Sequence, residues 1–490
     1  MNRRLVVSAL TAAGVAGIGA ALWAIRGPLR VVVGIARASM GEPSALSLHQ
    51  RRRLAALIAY ARARSPYYRD LYRRLPATVD DVRAAPVVTK PELMARFDDW
   101  VTDRAVTRAG VEAYVADPAL IGKDYLGRYA VWTTSGTTGK PGIFAHDRRA
   151  MLVYTAIVPL RSYRWATPAT LWYLWRHGRI TVLVATGGHF AIADWFERAR
   201  RWRIARERIH ICSVLMPLAE LTRELNAFQP TLLLGYPSVI RLLTEEQRAG
   251  RLRIAPVFIG TGGEWQDPAA RAETVEAFRC IVRDNYGASE FPYVAFECAE
   301  GWLHINADWA LLEPVDAAYQ PVPAGQPSYT TLLTNLANRV QPLIRYDLGD
   351  SITMRPDPCP CGCALPAMRV EGRKGDTLRL ATDTGAVVTV LPMAIGAVVE
   401  MAPGVRRAQI IQTGRRELTL RMETDERATP DESAWAWEQV ERRLRDYLDA
   451  QGLPSISIMR APEPPQPDAA SGKFREVWSA LPQSDAVPRS

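Results

Sequence analysis

The chain has 490 residues, of which 48% are hydrophobic, enough to bury a substantial core in more than one domain. This excludes a disordered chain and a small disulfide-held scaffold. The formal charge of +10 does not by itself point to nucleic acid, because five lysines among the 61 basic residues leave 56 arginines, spread along the chain rather than gathered in one tract.

From Leu5 to Ile25 runs a stretch of twenty-one uncharged residues, flanked by Arg3 and Arg4 before it and by Arg26, Arg30 and Arg37 after it. As a helix rising about 1.5 Å per residue it reaches roughly 31 Å, the thickness of a hydrocarbon core. Residues 1–40 are therefore expected to hold a single membrane anchor and its flank, with the rest of the chain on the cytoplasmic side. The competing readings are a cleaved secretory signal, for which Ala36-Arg37-Ala38 is a weak cleavage-like site, and a helix lying in the interface.

Between Leu46 and Leu75 apolar positions recur at helical spacing among arginines, which predicts a basic amphipathic helix set on the surface or against anionic lipid. Further on, short apolar runs at Leu171–Trp175, Thr181–Ala185, Thr231–Leu234 and Val257–Ile259 alternate with helical stretches. That alternation predicts an α/β fold with buried strands. The aromatic-bearing runs Leu171–Trp175 and Phe291–Phe296 fit either core or the wall of an acyl pocket. A turn-rich stretch from Arg355 to Pro366 reads as a domain boundary. The expected organisation is a large domain over 41–372, a small α+β domain over 373–480 and a loose polar tail over 481–490.

Several segments carry chemistry. Trp132-Thr133-Thr134-Ser135-Gly136-Thr137-Thr138-Gly139-Lys140-Pro141-Gly142 is dense in hydroxyls and glycines, so its backbone N–H groups and side chains can wrap phosphate oxygens while Lys140 supplies charge. It is not the Walker pattern, because Pro141 follows the lysine where Ser or Thr would open a helix. Gly262-Gly263-Glu264 and Asp284-Asn285-Tyr286-Gly287-Ala288-Ser289-Glu290 follow, then Leu343-Ile344-Arg345-Tyr346-Asp347-Leu348-Gly349-Asp350, Gly372-Arg373 and Ser471-Gly472-Lys473-Phe474-Arg475. A carboxylate such as Asp350 can accept from two vicinal hydroxyls through charge-assisted hydrogen bonds; the alternative is a surface pair between Arg345 and Asp350.

In this order the segments resemble the adenylate-forming superfamily, and within it the phenylacetate–CoA ligase and F390-synthetase-like branch. The resemblance covers roughly residues 45–480, including Ser65-Pro66-Tyr67-Tyr68 and Pro86-Val87-Val88-Thr89-Lys90. It implies an α/β fold with a large N-terminal domain and a small mobile C-terminal α+β domain. It implies ATP binding by Thr134, Ser135, Gly136, Thr137, Thr138, Gly139 and Lys140, and an adenine region at Gly263, Glu264, Tyr286 and Gly287 with Tyr286 stacked on the purine. Glu290 would hold Mg²⁺, Asp350 and Arg373 would contact the ribose, and Lys473 would neutralise charge between carboxylate and α-phosphate. Gly235-Tyr236-Pro237-Ser238 would contribute to the acyl pocket. The family's hinge position is usually acidic or lysine; here it is Gly375. The implied activity is conversion of a carboxylic acid, aryl or acyl, to its acyl-AMP, followed by transfer to coenzyme A. The alternatives are a non-CoA acceptor, as in cofactor adenylylation or envelope polymer assembly, and a membrane-tethered nucleotide binder without turnover.

Six cysteines stand at 212, 280, 298, 359, 361 and 363, a crowding unlike a disulfide framework. Cys359, Cys361 and Cys363 are too close in sequence to bridge comfortably, whereas thiolates near a turn can share one soft metal. The expectation is a structural Zn²⁺ held by Cys298, His304, Cys359 and Cys361, with Cys363 able to replace either of the last two; the alternative is unliganded cysteines.

Overall fold

The computed structural model describes residues 29–38, 43–76, 78–79, 81–134, 142–162, 166–214, 216–264, 266, 268–373, 378–390, 395–396, 398–399, 402–424, 428–466 and 475–481. The predicted anchor at 5–25 lies outside the described residues, as do Ser135–Pro141, Gly375 and Lys473. Among the described residues no helix is long and apolar enough to cross a membrane.

Strand β1 (Ala130–Thr133) and strand β2 (Ile143–His146) form an antiparallel hairpin. The Val-, Ile- and Leu-rich runs that follow become β3 (Ile180–Val184), β4 (Ile209–Ser213), β5 (Leu232–Gly235), β6 (Phe258–Gly262) and β7 (Ile281–Ala288). These five are parallel, in spatial order β4-β3-β5-β6-β7, and are covered by helices such as Leu218–Phe228 and Pro237–Arg248. The inner strands β3, β5 and β6 are mostly buried and lack polar alternation, which is why they read as continuous apolar runs. Past β7 the sheet turns antiparallel through β8 (Phe291–Glu297) and β9 (Leu303–Ile305). Next come β10 (Ala310–Val315), β11 (Thr330–Asn335) and β12 (Tyr346–Asp347), a separate three-stranded sheet. Finally β13 (Asp350–Met354) and β14 (Ala367–Arg373) join the large sheet beside β9 and bring it to nine strands.

Two expectations need correcting, and a third, the basic helix, is borne out and made more specific. Arg355–Pro366 is no domain boundary: it connects β13 to β14 within one sheet. The basic segment before Leu75 is a packed helix, Pro43–Arg64, whose Leu54, Leu57, Ile58 and Ala61 enter the main core. Its Arg53 lies 3.6 Å from the ring centre of Trp309, so the arginine face serves the fold as well. Leu171–Trp175 is not a strand but part of the helix Pro168–His177, begun by the Thr167 side chain, which accepts from the Thr170 N–H, with Pro168 at the first position. A short apolar run cannot distinguish helix from strand by itself. Phe291–Phe296, by contrast, is core, with Phe291, Val294, Ala295 and Phe296 all buried.

Residues 378–477 have a core of their own. Strands β15 (Leu378–Ala381) and β16 (Val387–Val390) form a hairpin, and β17 (Val405–Gly414), β18 (Glu417–Thr424), β19 (Ser457–Arg460) and β20 (Val477–Ser479) form a sheet in order β19-β18-β17-β20. The helix Pro430–Ala450, opened by a reciprocal Thr429/Glu432 cap, lays Ala436, Val440, Leu444 and Leu448 on it at four-residue spacing. This unit meets the large one where Arg406 pairs with Glu245 at 2.8 Å and Arg241 donates to the Arg406 carbonyl.

Candidate active site

The predicted segments converge at the carboxyl ends of β5, β6 and β7, where open parallel sheets place their crevice. Gly262-Gly263-Glu264 ends β6. Gly263 has φ +83°, and a Cβ on Gly262 would lie 2.8 Å from the Asn285 carbonyl oxygen, so the turn needs both glycines. Glu264 accepts from the Ser238 N–H at 3.0 Å and so caps the helix Pro237–Arg248, tying this turn to Gly235-Tyr236-Pro237-Ser238. Burial, and the Glu264 charge after it, push the Tyr236 hydroxyl up to about 12.

Tyr286 and Glu290 flank the β7–β8 turn, and both reach the segment around β12. The Tyr286 hydroxyl donates to Asp350 at 2.5 Å, and the Tyr346 hydroxyl donates to Glu290 at 2.7 Å. Asp350 and Glu290 are both buried, and Arg373 stands directly opposite Asp350 in the β13–β14 register. Thus Tyr286, Glu290, Tyr346 and Asp350 are brought together, with the Arg373 backbone beside Asp350. Arg345 does not pair with Asp350; its guanidinium binds Glu313 at 3.1 Å and the Ala85 carbonyl at 2.9 Å. Val88 bonds to Arg345 and Asp347 on both its backbone groups, which gives Pro86–Lys90 its role as a brace. Gly287 is required sterically: a Cβ there would lie 2.0 Å from the Pro292 carbonyl oxygen.

The hairpin β1–β2 carries the phosphate-loop segment, and its mouth is closed on both sides. The Thr134 N–H donates to the Gly142 carbonyl at 2.9 Å, and the Thr134 hydroxyl accepts from the Gly142 N–H at 2.8 Å. Ser135, Gly136, Thr137, Thr138, Gly139 and Lys140 lie between these two residues, outside the described residues. The hairpin is fixed to the β7–β8 turn: the Ser289 hydroxyl donates to the Thr133 carbonyl at 3.1 Å, and His146 Nε2–H donates to the Ser289 carbonyl at 2.9 Å. Burial holds His146 down to about 3, so it is a neutral imidazole, leaving Nδ1 to accept from Tyr154. Asn335 completes the tie, donating to Tyr154 and to the Glu290 carbonyl.

Lys473 also lies outside the described residues, but the ends of its segment do not. Buried Gln409 donates to the carbonyls of Gln466 and Arg475, both at 2.8 Å, and accepts from the Gln466 N–H at 3.0 Å. Sequence reasoning missed Gln409, His146, Tyr154 and Asn335, which carry no motif. It also missed Tyr346, although this residue stands inside one that was read.

Cys298, His304, Cys359 and Cys361 come together, with their ligand atoms all within 4.8 Å of one another. Cys298 and Cys359 sulfurs are 3.7 Å apart, and Cys361 Sγ is 3.2 Å from His304 Nε2. His304 Nδ1–H donates to the Leu365 carbonyl at 2.8 Å, which fixes the tautomer and puts the lone pair of Nε2 on the side of Cys361.

No family model matches the chain. It is 24% identical over 461 residues to the phenylacetate-coenzyme A ligase of Thermus thermophilus, covering 87% of this chain and 95% of that one. Among solved structures it superposes on a 2-hydroxyisobutyryl-CoA ligase in the postadenylation state with 2-HIB-AMP. The TM-score is 0.68 at 19% identity, over 91% of this chain and 92% of that chain. With that same ligase in its thioesterification state the TM-score is 0.55, at 21% identity, over 90% of this chain and 91% of that chain. The chain thus has the fold of the adenylate-forming ligases, across both of its hydrophobic units.

Proposed function

We propose that the protein joins a carboxylic acid, aryl or acyl, to ATP, forming acyl-AMP and releasing pyrophosphate, and then passes the acyl group to the thiol of coenzyme A with release of AMP. The observation that carries the reading is the paired arrangement Tyr286–Asp350 and Tyr346–Glu290 beside the stem of the phosphate loop. It supplies an aromatic face for the base, a carboxylate for the ribose hydroxyls and a second carboxylate near the phosphates. Similarity to an acid–CoA ligase over most of the chain supports the same assignment.

In this reading Thr134 and the segment to Lys140 hold the phosphates, Gly263, Glu264 and Gly287 shape the base pocket, and Asp350 with Arg373 orients the ribose. Glu290 would hold Mg²⁺, which supplies charge neutralisation between phosphates; its carboxylate fits, being kept as an acceptor by the Tyr346 hydroxyl. Lys473 enters from the C-terminal unit to neutralise charge developing at the α-phosphate. The better superposition on one state of a ligase than on another supports a C-terminal unit that rotates between half-reactions. Cys298, His304, Cys359 and Cys361 would bind a structural Zn²⁺, since three thiols and an oriented imidazole match its preferred donors. Residues 5–25 would anchor the enzyme on the cytoplasmic side of a membrane, where ATP is present.

The test is ATP–pyrophosphate exchange across aromatic and fatty acids, with Lys473→Ala alongside. Acid-dependent exchange that the variant loses, with ATP binding retained, supports the ligase. A folded, ATP-binding protein silent across the panel overturns it and favours a nucleotide binder without turnover. Exchange without thioester formation would move the acceptor away from coenzyme A.

A further inference from the structure

The helix Pro168–His177 contains Leu171, Trp172, Tyr173, Leu174 and Trp175, yet none of its residues is buried. The helix Arg203–Arg208 likewise buries nothing. Trp172 is 58% exposed and Trp175 72%, while Trp202 and Ile204 are 78% and 72% exposed. The two helices touch, since Arg208 donates to the Trp175 and Arg176 carbonyls. At about 200 Å² for a fully exposed indole, the three tryptophans alone present roughly 400 Å², the size of the largest apolar patch on an ordinary soluble monomer.

The charge in the segments that carry this patch is mostly of one sign, and Arg176 lies 5.9 Å from the Trp172 ring centre. Residues 168–179 and 201–208 hold six arginines and a single acid, Glu207. Arg176, Arg203 and Arg206 are exposed and form no ion pair among the described residues. Exposed indoles interspersed with arginine match the boundary of an anionic bilayer, where the ring sits among headgroups and the guanidinium meets phosphate.

Position agrees with chemistry. The helices lead into the amino ends of β3 and β4, whereas the candidate active site gathers at the carboxyl ends of β5, β6 and β7. A surface held at the amino edge leaves the site open to water.

We infer that the face formed by the helices Pro168–His177 and Arg203–Arg208 rests on an anionic lipid surface, inserting Trp172, Trp175 and Trp202 at headgroup depth. The inference stands on these two helices, apart from the apolar run at 5–25 and from the nucleotide chemistry.

The full chain is reconstituted with vesicles of phosphatidylcholine alone, or mixed in equal parts with phosphatidylglycerol, and hydroxyl-radical oxidation of each tryptophan is followed by peptide mass spectrometry. Trp172, Trp175 and Trp202 are expected to oxidise several-fold more slowly on the anionic vesicles only, with salt reversing the protection. Trp435, 49% exposed in the C-terminal unit, is the control and should not change. Arg203→Gln with Arg206→Gln should raise the phosphatidylglycerol needed for half protection by about fivefold per arginine. Equal oxidation on both vesicle types, with the protein cosedimenting, overturns the proposal. So does protection that exists without lipid and grows with protein concentration, which would assign the face to a second copy of the chain.

Discussion

Replacing Tyr346 by Phe isolates the contact that joins two of the read segments. The residue is buried, and its ring meets Phe144 edge-on with centroids 6.2 Å apart, a packing that phenylalanine keeps. What is lost is the hydroxyl that donates to Glu290 at 2.7 Å. A hydrogen bond to a charged partner contributes about 1.5–3 kcal/mol, so kcat/KM for adenylation should fall roughly 10- to 100-fold if this bond sets the carboxylate's direction. If Glu290 holds Mg²⁺ as proposed, a positional fault in its carboxylate should also raise the Mg²⁺ concentration needed for half-maximal rate. ATP–pyrophosphate exchange measured across a Mg²⁺ series, beside urea denaturation, separates the effects. A variant less stable than its parent but unchanged in exchange and in Mg²⁺ dependence would refute the reasoning and leave Tyr346–Glu290 as a bond of the fold alone.

Elemental analysis of protein from metal-replete cells should find one zinc per chain, and Cys359→Ser should lose most of it; protein without stoichiometric zinc would end that assignment. Asp284 is buried beside Glu297, and its carboxyl is pushed up to about 7 by burial first and the neighbouring charge second. An acid whose folded value lies above its unfolded value of 3.8 binds more protons when folded, so its contribution is fully present below about pH 4 and lost as pH rises to about 7. Relative to the parent, Asp284→Asn should therefore gain stability in urea between pH 5 and pH 8; buried His146 contributes the opposite slope in both proteins and cancels. Gly287→Ala should cost about 1–3 kcal/mol or more, because its methyl would meet the Pro292 backbone rather than a side chain able to move, and an unchanged melting temperature would contradict that contact.

The segments were legible because nucleotide chemistry needs particular residue types in a fixed order along the chain, and the structure brings Tyr286 to Asp350 and Tyr346 to Glu290. The bonds that aim them were not legible. Tyr346 reaches Glu290 across 56 positions, and Asn335 reaches Tyr154 across 181. Nothing in the local pattern around either marks a partner that distant. The Cys/His cluster shows the same limit from the other side: Cys359 and Cys361 announce themselves by spacing, whereas their approach to Cys298 and His304 depends on β14 lying beside β9. That pairing also explains why a turn-rich stretch read as a boundary is interior to one sheet.

The least legible feature was the run Leu171–Trp175, and the reason is physical. Apolar content predicts burial only when the chain itself supplies the opposing surface. Here Thr167 and Pro168 begin a helix at the amino edge of the sheet, and no other described element covers it, so its aromatics stay exposed. The cost of leaving three indoles in water is offset if another surface receives them, and arginines around them select one of negative charge. The sheet then separates two tasks. On the two proposed readings, its carboxyl edge would hold a nucleotide and its amino edge would hold the molecule on a surface. Changes at Trp172 or Trp202 should accordingly alter where the enzyme works without altering its rate in solution, and a change at Tyr346 should do the reverse.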